Sequence, residues 1–133
     1  MGKLKPAFGI YIHWPFCAKK CPYCDFNSHV QDSIDQGQWL EAYLNELRYY
    51  ASEASDRPVT SVFFGGGTPT LLPPASLDKI LGNIKLNFHL NEDCEISIEA
   101  NPATIKQETL KQIRSSGFNR ISIGVQSFDL DEL

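Results

Sequence analysis

The chain is short of positive charge. Twelve Lys and Arg face 16 Asp and Glu, a formal net charge of −4, which removes the electrostatic case for binding nucleic acid or an anionic membrane. Long apolar runs are missing too. Nothing approaches the roughly 20 residues of a membrane span, and Met1 to Pro6, despite Lys3 and Lys5, is not followed by the apolar stretch of a secretory signal. No low-complexity tract or inter-domain linker interrupts the sequence. These absences are those expected of a cytoplasmic protein, in a reducing compartment where cysteines serve metals or catalysis rather than disulfides. Cysteine itself is scarce, four in 133 residues, yet Cys17, Cys21 and Cys24 fall within eight residues of one another.

What is present is a strand–helix rhythm. "AFGIYIH" (Ala7 to His13) predicts a strand leading into the cysteine loop. Trp39, Tyr43, Leu47 and Tyr50 recur at helical steps and predict a helix over about Gln36 to Ala54. "TSVFF" (Thr60 to Phe64) is a second strand running into "GGGTPTLLPP". Leu77, Ile80, Leu81 and Ile84 mark a helix that starts near Pro73 and Pro74. A strand over Cys94 to Ala100 follows, then a helix with a Thr104/Gln107 capping box that Gly117 ends, then a strand over Asn119 to Phe128. The alternation predicts an α/β fold of parallel β/α units. Three and a half units do not close a barrel, which takes about 250 residues, and "SFDLDEL" reads as the start of a further helix. Residues 1–133 are therefore expected to be the N-terminal portion of one longer domain, with no second domain present.

The strands alternate where doubly buried parallel strands would be continuously aliphatic. Ile10 and Ile12 oppose Tyr11 and His13; Ile96, Ile98 and Ala100 oppose Ser97 and Glu99; Ile121, Ile123 and Val125 oppose Ser122, Gly124 and Gln126. With the aliphatic set against helices, the other face offers small and polar groups to a polar ligand. A sheet with one solvated face is the plainer alternative.

The C-x3-C-x2-C spacing suits an iron–sulfur cluster, because thiolates on a short loop converge on one small inorganic core. Three ligands leave one iron of a four-iron cluster open, and Lys19 and Lys20 favour thiolate over thiol. The rival is a structural zinc site, which needs a fourth ligand from Cys94, His13 or His29. Histidine is also the usual heme ligand, but His13 is expected to pack beside Tyr11, His29 to be an exposed loop residue, and Cys94 to be a small buried one. "FFGGGTPT" is no phosphate-binding P-loop, since no Gly-Lys-Ser/Thr follows. Alone its successive glycines read as a plain tight turn, although they could let backbone N–H groups converge on an anion. Glu99 and Gln126 sit near the carboxyl ends of strands, where α/β sheets bind ligands.

With Tyr23 before the last cysteine, the cysteine loop resembles the signature of the radical S-adenosylmethionine (SAM) family. "YIHWPFCAKKCPYCDFNSH", "FGGGTPTLL", "ISIEANP" and "NRISIGVQSF" occur in the order of the oxygen-independent coproporphyrinogen III oxidase-like group of that family. The resemblance implies a partial (β/α) barrel, incomplete in this chain, with a 4Fe-4S cluster on Cys17, Cys21 and Cys24. SAM would occupy the open iron and be cleaved to methionine and a 5′-deoxyadenosyl radical. Two SAM molecules are implied: Tyr11, Gly66 and Glu99 match contacts of the cluster-bound one, and Gly67, Thr68 and Gln126 match contacts of the second. The oxidases carry a further cysteine where this chain has Phe26. "CDFNSH" and "IEANP" resemble instead the heme-chaperone branch, which implies heme and haem-accepting proteins as partners and a heme site outside this chain. Porphyrinogen oxidation is the alternative function, and a zinc-stabilised binding module the alternative of another class.

Overall fold

The computed structural model describes residues 6–18, 29–31, 33–54, 56–125, 127–129 and 131. Among these residues four strands, β1 (Phe8–Trp14), β2 (Pro58–Gly66), β3 (His89–Ala100) and β4 (Arg120–Ile123), alternate with helices α1 (Gln36–Ala54), α2 (Pro74–Asn87) and α3 (Gln107–Ser116). A 3-10 turn spans Pro69–Leu71. All strands are parallel and lie in sequence order, β1-β2-β3-β4, in an unclosed sheet. Among the described residues no helix is long and apolar enough to cross a membrane.

One sheet face makes the core. Ile12, Val62, Phe64, Ile96 and Ile98 pack with Leu77, Ile80, Leu81 and Ile84 of α2, Leu47 and Ala51 of α1, and Ile113 and Phe118 at the end of α3. The α2 stripe is fully buried, as its spacing predicts, and Pro74 occupies the first turn, where no backbone donor is needed. The α1 bounds also agree with the periodicity, but its buried stripe ends on Ala51, whereas Tyr50 is 56% exposed. Steps of four from Trp39 lead to Ala51, and Tyr50 falls just off that line.

Three expectations need correcting. The capping box is absent: α3 starts at Gln107 with Lys106 at its N-cap, and the Thr104 and Ile105 amides instead donate to the Asn101 carbonyl in a turn. β3 begins at His89, five residues before Cys94, because backbone pairing with β2 carries the polar "HLNED" stretch across a register shift at Val59/Ser61. β4 ends at Ile123, leaving Ile123 half-exposed at the sheet edge. Gly117 does end α3 in the left-handed conformation, φ 112°.

Candidate functional site

Alternation gives the sheet a second face of different chemistry. The register aligns Tyr11, Phe63, Ser97 and Arg120 in one row across it; the next row includes His13 beside Gly65, and Glu99 beside Ser122. Tyr11 is 57% exposed. Its ring stacks on Phe63 at 5.9 Å between centroids, and its hydroxyl lies 3.0 Å from His13 Nδ1. From beneath, the Tyr43 hydroxyl of α1 donates to the His13 carbonyl at 2.5 Å. Burial pushes both phenols above their ordinary pKa, with Glu99 adding to the effect at Tyr11. His13 packs beside Tyr11 and His29 is exposed, both as expected.

Gly65 is the residue the sequence reading passed over. A Cβ there would come 2.6 Å from Phe63, 3.0 Å from Tyr11 and 3.2 Å from Glu99 Oε2. Its lack of a side chain leaves a cradle among those three groups. Glu99 accepts the Gly66 N–H at 3.2 Å. Burial raises its carboxyl pKa, against the lowering effects of that bond and of His13. Gly66 itself has φ 108°, a conformation glycine adopts without penalty.

The glycine segment does not aim its amides at open space. The Gly66 N–H goes to Glu99, the Gly67 N–H to the Trp14 carbonyl at 2.6 Å, and the Thr68 N–H to the Phe16 carbonyl at 2.8 Å. These last two bonds extend the β1–β2 ladder into the root of the cysteine loop, so the expectation of N–H groups converging on an anion is corrected. A Cβ on Gly67 would lie 2.4 Å from the Phe16 carbonyl oxygen, which explains glycine there by close approach. Thr68 is buried. The loop root is further fixed by ring contacts of Phe16 with Trp14 at 5.1 Å and with Trp39 at 5.3 Å.

The structure thus brings together Tyr11, Gly66, Glu99, Gly67, Thr68 and half-buried Cys17 at the carboxyl end of the sheet. Cys21, Cys24 and Gln126 lie outside the described residues, as do Lys19, Lys20 and Phe26. Among the described residues no three His, Cys, Asp or Glu side chains form a metal-binding group. Cys94 is buried in β3, before the Ser61–Glu95 pair and so toward the amino end of the strands. On its own strand it stands five residues before Glu99, about 16 Å at 3.3 Å per residue. Its thiol pKa is raised by burial, then by Asp93 and Glu95. Half-buried Cys17 stands at the loop root, and the side-chain-free cradle, flanked by a carboxylate and a phenol on the same face, leaves room for a small polar ligand.

The family model described as the radical SAM superfamily matches residues 11–131. "Heme chaperone HemW" of Escherichia coli is 40% identical over 129 residues, covering 96% of this chain and 34% of that protein. "Oxygen-independent coproporphyrinogen III oxidase" of Salmonella typhimurium is 41% identical over 121 residues, covering 90% and 26%. The solved coproporphyrinogen III oxidase HemN of Escherichia coli, a radical SAM enzyme, superposes with a TM-score of 0.85 at 38% identity, over 95% of this chain and 29% of that one. The chain spans about a third or less of the length of these relatives. A parallel, unclosed α/β sheet bearing this loop at its carboxyl end, matched by the family model over nearly its whole length, belongs to the radical SAM superfamily, and membership implies a 4Fe-4S cluster and SAM.

Proposed function

We propose that this chain is the cofactor-holding N-terminal portion of a cytoplasmic heme chaperone, with heme and haem-accepting proteins as its partners. Cys17, Cys21 and Cys24 would hold a 4Fe-4S cluster; Tyr11, Gly66 and Glu99 would contact one SAM, and Gly67, Thr68 and Gln126 a second. The observation that carries the chaperone reading is the 40% identity to "Heme chaperone HemW" over 96% of this chain; the hydrogen-bonded connection of the Cys17 loop root to Gly67 and Thr68, and of Gly66 to Glu99, supports the cofactor assignments. When bound, the cluster supplies an electron and an open iron site. The protein's own groups do the holding. The Gly66 N–H occupies one Glu99 oxygen and leaves the other to accept an ammonium group. Gly65 lets a ligand reach the sheet, Phe63 supports the Tyr11 ring, and the Tyr43–His13–Tyr11 contacts fix the phenol at the rim.

The second reading, coproporphyrinogen III oxidase, draws on the similarity to the Salmonella and Escherichia oxidases. Phe26, a residue that cannot replace a thiol, stands against it. A zinc-stabilised module would have to take its fourth ligand from His13 or His29, because Cys94 lies toward the amino end of the strands. The separating experiment uses the full-length, anaerobically reconstituted protein. Heme titration with a stoichiometric absorbance change, and transfer to an apo-haemoprotein, supports the chaperone. Conversion of coproporphyrinogen III with SAM consumption, without heme binding, supports the oxidase and overturns the first reading.

A further inference from the structure

We infer that the main chain of His29, and not its imidazole, is a latch that joins the two ends of the cysteine loop and thereby positions Cys17. The inference rests on the reading of Cys17, Cys21 and Cys24 as iron ligands. His29 pairs with Phe16 in an isolated parallel bridge. The Cys17 N–H donates to the His29 carbonyl at 2.9 Å, and the His29 N–H donates to the Pro15 carbonyl at 2.6 Å. On the opposite side, Phe16 takes the Thr68 N–H at 2.8 Å. The segment Pro15 to Cys17 is therefore a short central strand between Gly67–Thr68 and His29. Phe16 is 4% exposed, whereas His29 is exposed and bonds through its backbone.

Two consequences follow. The Cys17 N–H is committed to His29, so it is not a donor to cluster sulfide. The loop ends, twelve residues apart in sequence, are joined by backbone pairing, so their separation is set by the fold.

Two measurements test the latch. Amide hydrogen exchange of the cluster-free protein should show protection at both Cys17 and His29; free exchange at both overturns the latch. In the reconstituted protein, iron retention is titrated against a chelator. His29→Ala keeps every backbone bond and should match the wild type. His29→Pro removes the N–H that bonds Pro15 and should release iron more readily than the wild type, with the melting temperature little changed. Iron loss in His29→Ala identifies the imidazole as the working group and overturns the proposal, as does wild-type retention in His29→Pro. If His29→Pro unfolds the domain, exchange in the wild type decides. A wild-type protein that takes up no iron defeats the cysteine reading, and the exchange experiment still tests the latch.

Discussion

Gly67→Ala and Gly82→Ala are the same chemical change with opposite expected results. At Gly67 the new methyl would sit 2.4, 2.7 and 2.9 Å from the O, C and N atoms of Phe16, all of them backbone. Ordinary contact begins at 3.4 Å, so the two backbone segments must separate by about 1 Å. The displaced atoms lie one residue before Cys17, and metal–ligand distances tolerate about 0.2 Å. Overpacking at a site that cannot relax costs about 1–3 kcal/mol. At about 4 °C per kcal/mol this lowers the melting temperature by roughly 4–12 °C. At Gly82, an exposed position in α2, nothing lies within 4 Å, and alanine gains about 0.5–1 kcal/mol of helix stability. The assay is thermal melting of the cluster-free proteins, followed by iron and sulfide analysis after reconstitution. Gly82→Ala should melt higher and bind iron normally, while Gly67→Ala melts lower and loses iron. A Gly67→Ala protein that melts and binds iron like the wild type would refute the reasoning that the glycine segment sets the position of the cysteine loop.

Three further predictions follow from the site. Cys17→Ala, Cys21→Ala and Cys24→Ala should each abolish cluster binding by iron and sulfide count, while Cys94→Ala, far along β3, should not; loss in Cys94→Ala alone reverses the ligand assignment. Glu99 has a raised carboxyl pKa, so its ionisation opposes folding: its stability contribution is present below the ordinary glutamate pKa and is lost as pH rises through the folded value. Urea unfolding between about pH 4 and pH 8 should therefore show Glu99→Gln gaining on the wild type as pH rises out of the ordinary glutamate range, and a gap moving the other way contradicts the burial argument. Tyr43→Phe removes the donor to the His13 carbonyl and should cost about 1 kcal/mol in urea, with weaker SAM binding if Tyr11 and His13 shift.

The sequence was legible where burial follows a simple period. α1 and α2 could be read from their apolar steps, and the two chemical faces of the sheet from alternation, because inward-facing aliphatics recur at every second position. The first residues of β3 were not, since "HLNED" is polar and is held as strand by backbone pairing with β2. The capping box failed because Asn101 offers its carbonyl to Thr104 and Ile105, which delays the helix to Gln107. The cysteine loop and the residues that meet near it were readable as motifs. Their connection was not: nothing in the spelling of "GGGTPT" says that Gly67 and Thr68 give their amides to Trp14 and Phe16. Gly65 was hidden for the same reason, since its role is the side chain it lacks opposite Phe63 and Tyr11.

The proposed cluster at this end of the sheet, with one iron open to SAM, can be tested directly. The direct measurement is anaerobic reconstitution of the full-length protein, with iron and sulfide counting and electron paramagnetic resonance of the reduced state with and without SAM. About four irons and four sulfides per chain are expected, with a signal that SAM changes and with Glu99→Gln weakening that change while leaving the iron count intact. Zinc without labile sulfide, or a cluster signal indifferent to SAM, would contradict the proposal.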